Sequence, residues 1–403
     1  LKPGPNLDTF NRHALLPSRA VKTIPPLLLL ALALLAAPGC AGDRPVELRG
    51  VWLTNVDSRV LESRAGIAEA MQFLADHNFN IVYPVVWNKG VTLYPSAVMD
   101  SLFGIRIDTM YRGRDPLAEV VEEAHRRGIA VVPWFEFGFS SSYKLNGGHL
   151  LARKPGWAAR DGSGALLLKN GFEWMDAYNP EVQEFLLAMI REVASGYDVD
   201  GVQGDDRLPA QPSEGGYSEY TRSLYRRQHG GAEPPADFRD ADWLRWRADI
   251  LNAFAARVHG EVKAIKPHLL VTWSPSVYPW SYEEYLQDWP AWVRAGHADL
   301  VHPQVYRYSH EEYLSTLATQ TPAALGLSGR KNVIYPGVLI SLGPYLIPDD
   351  ELTHAVATNR AMGFNGEVFF FFEGLRRENA RLARALLTTH YARPASLPFP
   401  TRN

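Results

Sequence analysis

The residues best placed to do chemistry are acidic. Asp205 and Asp206 close the run Val199-Asp200-Gly201-Val202-Gln203-Gly204-Asp205-Asp206. Glu136 sits in Trp134-Phe135-Glu136-Phe137, and Glu373 follows Phe369 to Phe372. All four stand at the end of a short, β-rich apolar run. Cleaving a glycosidic bond needs two carboxyl groups: one gives a proton to the leaving oxygen, and the other attacks the anomeric carbon or activates water. Side chains alternate across a strand. With Val202 turned to a helix layer, Gln203 and Asp205 face the other side, and Asp206 lies where a turn can re-aim it. Asp205 is therefore the first choice for nucleophile or base, with Asp206 beside it. Glu136 and Glu373 are the two alternatives for the acid. The aromatic neighbours of Glu136 predict burial, which raises a carboxyl pKa and keeps the proton on near neutral pH. The competing reading makes the Asp pair a turn or helix cap and makes each Glu a partner of a neighbouring loop.

Other polar and aromatic residues end further apolar runs: Trp52, Asn55 and Asp57; Trp87 and Asn88; Trp134; Trp273 and Ser274; His302, Gln304 and Tyr306. Trp52, Trp87, Trp134, Trp273 and Tyr306 are the expected sugar platform, and Asn55 and Gln304 the expected hydroxyl partners. A rim of this kind around one mouth suits a saccharide. Other chemistries lack their signatures. No His-x-His or His-Glu-x-x-His spacing supplies a metal site, no Gly-x-Ser-x-Gly elbow supplies a serine nucleophile, and no Gly-rich loop follows a strand to hold a dinucleotide. No metal and no cofactor are expected.

Such residues need a scaffold that brings strand ends together. Eight apolar runs bounded by Gly, Pro or Asn read as strands: Leu48–Asn55, Asn80–Trp87, Ile129–Phe137, Val199–Asp205, Leu269–Ser274, Asp299–Tyr306, Asn332–Ile340 and Gly366–Phe372. Helical spacing separates them. Ile67, Ala70, Met71 and Leu74 share a face within Ala65–His77, Asp115-Pro116 opens a helix that Gly128 closes, and Asn179-Pro180 opens another running to about Gly196. Asp242 is read as the cap of a long helix reaching Lys266, and Tyr282–Ala295, Glu311–Leu325, Asp349–Met362 and Glu378–His390 complete the set. Strand-helix alternation predicts a parallel sheet, and eight units predict an α/β fold, the (β/α)₈ barrel. Two connections are long, Gly138–Tyr178 after the third strand and Arg207–Ala241 after the fourth. Both lie on the C-terminal face, where such barrels build their active sites.

Composition narrows the partners. Net charge is −3, which gives no electrostatic footprint for nucleic acid. The 11 Trp and 18 Tyr are mostly core, with enough left over to stack on sugar rings. The single cysteine, Cys40, excludes an internal disulfide. It follows the apolar run Leu27–Ala37, too short to span a bilayer, with Arg19 and Lys22 ahead of it. This matches a secretory signal segment, and Ala37-Pro38-Gly39-Cys40 resembles a bacterial lipobox. The expected organisation is a removed signal segment over 1–40, a short linker over 41–46, a barrel over 47–391 and a Pro-rich tail over 392–403. Lipid on Cys40 would tether the chain to a membrane of the cell envelope, with a polysaccharide as its partner.

The strand motifs also resemble a known group. Arg49-Gly50-Val51-Trp52-Leu53-Thr54, Val132-Pro133-Trp134-Phe135-Glu136-Phe137-Gly138-Phe139, Tyr197-Asp198-Val199-Asp200-Gly201-Val202-Gln203 and Asp205-Asp206 come first. Trp246-Arg247, Leu286-Gln287-Asp288-Trp289, Pro303-Gln304-Val305-Tyr306-Arg307 and Gly366-Glu367-Val368-Phe369-Phe370-Phe371-Phe372-Glu373 follow. In order and spacing they are similar to the bacterial glycosyl-hydrolase-like family ten lipoproteins, over roughly Glu47 to Tyr391. The resemblance implies a (β/α)₈ barrel, an envelope location and cleavage of an amino-sugar polymer such as peptidoglycan glycan stripped of its peptides. Gly204 and Arg207 depart from the family's usual large apolar and His or aromatic residues. A barrel that binds glycan without cutting it is the alternative, and a metal-dependent deacetylase or amidohydrolase is a third reading.

Overall fold

A computed structural model describes residues 44–400 apart from 331. The expected signal segment and Cys40 lie outside the described residues.

Eight parallel strands form the core: β1 (Leu48–Leu53), β2 (Ile81–Pro84), β3 (Ala130–Val131 and Trp134–Phe135), β4 (Gly201–Asp205), β5 (Leu270–Ser274), β6 (Leu300–Val301 and Gln304–Val305), β7 (Gly337–Leu339) and β8 (Gly366–Phe370). Each lies within one of the eight runs read as strands. β3 and β6 break at Pro133 and Pro303, because proline has no N–H to give to a ladder. Those breaks divide the pairing into two sheets but not the barrel. The first half of β3 pairs with β2 and its second half with β4. The first half of β6 pairs with β5 and its second half with β7. β8 pairs with both β7 and β1, and β1 with β2, so the pairing returns to its start.

The barrel interior is packed and its polar groups are matched, as burial demands. Trp52 donates through Nε1 to Gln203 Oε1 at 2.7 Å, and Gln203 Nε2 donates to Thr272 Oγ1 at 3.1 Å. Tyr83 and His302 share a hydrogen bond of 2.9 Å. Burial drives the His302 pKa down to about 3, so this ring is neutral.

The outer layer comprises α1 (Arg64–Asp76), α2 (Pro116–His125), α3 (Pro180–Gly196), α4 (Ala241–Ile265), α5 (Trp289–Ala295), α6 (His310–Thr319), α7 (Asp349–Ala361) and α8 (Phe372–Thr388). Caps set their starts. Asp115 accepts from Ala118 N at 3.0 Å and Asn179 from Glu181 N at 2.9 Å, each ahead of a Pro in the first turn. The cap of α4 is Asp240, which accepts from Trp243 N at 2.9 Å, two residues before the expected Asp242. The expected helix Tyr282–Ala295 divides into Trp280–Tyr285 and α5, with Leu286 left-handed between them.

Both long loops carry structure. The loop after β3 holds strands Ser140–Tyr143, Leu168–Lys169 and Phe172–Trp174, and the loop after β4 holds a helix, Glu219–Gln228. They are stapled together. Buried Asp176 accepts from Ser218 Oγ and from Thr221 Oγ1, and Gln211 Oε1 accepts from Ala177 N at 2.8 Å. Arg247, wholly buried over the Trp243 ring, donates to the Ser213, Gly215 and Phe238 carbonyls of the second loop. The Pro-rich tail seals the opposite end. Ser396 O accepts from Glu47 N at 2.9 Å, and Arg393 O accepts from Arg49.

Candidate active site

The C-terminal ends of β3, β4, β6 and β8 enclose a cavity of about 170 Å³. Its polar wall is Glu136, Asp205, Asp206, Arg207 and Gln304, and its aromatic wall is Trp134, Phe172, Tyr306 and Phe370. Larger surface hollows exist among the described residues. One, about 890 Å³, lies by the starts of α1 and α2, away from the strand ends. The smaller cavity is the candidate site because the carboxylates converge there.

Asp205 ends β4 pointing into the barrel mouth. Its Oδ1 accepts from Ser274 Oγ at 2.9 Å and from Gln304 Nε2 at 3.0 Å. Its backbone carbonyl accepts from Gln287 Nε2 at 2.8 Å. Arg207 binds all three acids: Nη2 lies 3.2 Å from Asp205 Oδ2 and 3.6 Å from Glu136 Oε1, and Nη1 lies 3.1 Å from Asp206 Oδ1. The guanidinium rests on the Phe172 ring, 4.6 Å from its centroid, and Nε donates to the Glu136 carbonyl. Glu136 Oε2 accepts from Asn88 Nδ2 at 2.8 Å.

Backbone fit makes this convergence possible. Gly138 has φ +51°, and a Cβ there would stand 2.0 Å from the Arg207 carbonyl oxygen, so only glycine lets the two loops meet. Gly204 is covered by the Trp273 indole, and a Cβ would stand 2.5 Å from that ring. A large apolar residue has no room at that position.

Electrostatics divide the acids. Burial pushes Glu136 up to about 7; Arg207 resists the shift and Asp206 adds to it. Burial pushes Asp205 well above the usual carboxylate range, helped by the adjacent Asp206 charge and opposed by Arg207. A second negative charge on Asp205 beside the Asp206 charge is disfavoured. Burial works against the Arg207 charge, but the surrounding acids outweigh it and raise its pKa. Among the described residues no group of three or more His, Cys, Asp or Glu is arranged to hold a metal ion.

The other expected residues separate into groups. Trp134 lines the cavity, and its buried indole N–H has no acceptor among the described residues. Tyr306 lines it too, stacked on Phe370 at 5.3 Å. Trp52 lies beneath the cavity, bonded to Gln203 and 1% exposed, so it supports the floor and offers no platform. Trp87 and Trp273 face the helical layer instead. Trp87 packs edge-on to Phe185 of α3, and Trp273 packs on Trp292 of α5. Both are buried by the same alternation that turns Ser274 inward. Glu373 accepts from Ser58 Oγ at 2.9 Å and lines a second hollow with Asn55, not the Asp205 cavity.

Sequence reasoning missed Arg207, Phe172, Phe370 and Gln287 as parts of this site. Arg207 was visible as a departure from the family pattern, and Gln287 lay in a quoted motif but on no strand end. Nothing in the sequence brings Phe172, on a loop hairpin, next to Arg207.

Residues 47–336 match the family model described as Glycosyl hydrolase-like 10. Glycosyl hydrolase YngK of Bacillus subtilis (strain 168) is 23% identical over 399 residues, covering 87% of this chain and 73% of that protein. Glycosyl hydrolase DigH of Escherichia coli O6:H1 is 25% identical over 348 residues, covering 69% of this chain and 74% of that protein. The PgaB (BpsB) glycoside hydrolase domain from Bordetella bronchiseptica superposes with a TM-score of 0.61 at 14% identity, over 85% of this chain and 98% of that one. That last likeness speaks for the fold.

Proposed function

Because the chain belongs to the glycosyl hydrolase-like 10 family, we propose that it hydrolyses glycosidic bonds of an amino-sugar polysaccharide such as denuded peptidoglycan glycan. The supporting observation is the meeting of Glu136, Asp205 and Asp206 around Arg207 in one aromatic-walled cavity. In this reading Glu136 protonates the leaving oxygen, a role suited to a carboxyl that holds its proton to about pH 7. The Asp205–Asp206 pair supplies the nucleophile or base, with Ser274 and Gln304 fixing the orientation of Asp205. Trp134 and Tyr306 hold the sugar. Glu136 and Asp205 lie 3.6 and 3.2 Å from one Arg207 nitrogen. That shared contact keeps them closer than most of the roughly 6.5–9.5 Å range of inverting pairs, which favours retention. The envelope location and lipid attachment at Cys40 belong to the same proposal and rest on the lipobox-like Ala37-Pro38-Gly39-Cys40.

Proton NMR of denuded glycan strands during digestion tests the assignment. The wild type should release product with its anomeric configuration retained. Glu136→Gln and Asp205→Asn should each be slower by about 10²–10⁴-fold, the usual contribution of a positioned acid or base. Inverted product would reject the spacing argument, and full rates in both variants would reject the catalytic assignment.

A further inference from the structure

The 170 Å³ cavity is small for a polymer, and a much larger hollow of about 810 Å³ opens beside it on the same barrel face. Its walls come from the ends of β1 and β8: Asn55, Asp57 and Ser58 on one side, and Glu373, Arg376 and Arg377 on the other. The partition between the two spaces is thin. Asn88 Nδ2 donates both to Asn55 Oδ1, in the hollow, and to Glu136 Oε2, in the cavity, each at 2.8 Å. We infer that this hollow is a second sugar-binding region, so that a glycan chain lies across the barrel mouth from the carboxylates to Glu373.

The chemistry of the walls specifies the ligand class. Both donors and acceptors line the hollow, as amide, carboxylate, hydroxyl and guanidinium. A sugar ring, with several hydroxyls that each donate and accept, matches such a set, whereas a single-sign ligand would meet both Arg376 and Glu373. Glu373 Oε1 accepts from Ser58 Oγ at 2.9 Å, which fixes the orientation of the carboxylate. Arg377 makes no ion pair among the described residues. Its Nη1 donates to Ser341 Oγ and to the Gly343 and Tyr345 carbonyls.

The backbone supports the same assignment. Directly after Arg377, Glu378, Asn379 and Ala380 all take left-handed conformations, with φ of +51°, +55° and +58°. Asp57, on the opposite wall, has φ +53°. Non-glycine residues adopt this region at a cost and concentrate where ligands are bound. The break begins at Arg377, whose ψ of 153° is already non-helical, and leaves Glu373 and Arg376 on a short helical stub at the strand end.

This inference rests on the glycan-cleaving reading and assigns Glu373 to binding, not to proton transfer. The test compares kcat/KM of wild type and Glu373→Gln on long denuded glycan strands and on a disaccharide with a chromogenic leaving group. The expected result is a fall of at least tenfold in the ratio of long-strand to disaccharide kcat/KM, carried by KM. A charged hydrogen-bonding group lost from a binding region has about that effect. Asn55→Ala should move the ratio in the same direction. An equal loss of kcat on both substrates would overturn the inference and make Glu373 the acid. Unchanged ratios in both variants would also overturn it. If wild type cleaved neither substrate, the glycosidase reading itself would fall, a result distinct from either.

Discussion

At the scale of single residues, the cavity is stressed by its own chemistry. Glu136 is held near pKa 7 chiefly by burial, while an unfolded chain would return it to its ordinary value of 4.5. The folded form therefore binds this proton more tightly. Stability linked to Glu136 is fully present below about 4.5 and is lost as pH rises through about 7. Glu136→Gln keeps the shape and removes the charge, so it should be more stable than wild type above pH 7, by about 3 kcal/mol at most, with the gain vanishing near pH 4. Urea unfolding at pH 5 and pH 8 measures this. Equal stability differences at both pH values would mean that the Glu136 carboxyl is not buried as described. Arg207 belongs to the same balance: it offsets three acids that would otherwise repel one another.

At the scale of elements, the barrel was readable and its facing was not. Each of the eight strands announces itself as an apolar run between turn residues, and Asn179-Pro180 and Asp115-Pro116 mark helix starts. Barrel strands are buried on both faces, however, so a tryptophan on one is apolar in either direction. On β4 the contrast of Val202 with Gln203 shows which side is inward. On β5 the polar Thr272 and Ser274 alternate with Val271 and Trp273 in the same way, but a tryptophan at a strand end also suits a sugar platform; the bonds of Thr272 to Gln203 and of Ser274 to Asp205 show that Trp273 points outward. The breaks in β3 and β6 were likewise written in Pro133 and Pro303, but a proline inside an apolar run does not say that pairing changes partner there. A consequence can be measured. Trp273→Ala removes a buried indole from the helical interface and should cost about 3–5 kcal/mol in unfolding free energy. Trp134→Ala should instead raise KM for glycan. Denaturation curves and steady-state kinetics on both variants separate the two roles. A KM effect as large for Trp273→Ala at full folding would place that ring back in the cleft.

At the scale of the whole molecule, function and closure occupy opposite ends. One end of the barrel is sealed by the tail, where Tyr391 is fully buried and donates to Glu367 Oε1 at 2.6 Å while Arg49 reaches the Arg393 carbonyl. The other end carries the two long loops, stapled through Asp176, and the open cavity. A rigid base under a variable rim is the arrangement in which one fold serves many chemistries, so the proposed reaction rests on the carboxylates at the rim and the sugar on the loops. The account stands or falls on Glu136 acting as a proton donor inside that rim. The most direct measurement is the pH dependence of kcat/KM on denuded glycan strands for wild type and Glu136→Gln. We expect wild-type activity to fall as pH rises through about 7, and the residual activity of the variant to show no such fall. The same descending limb in both proteins would contradict the central claim.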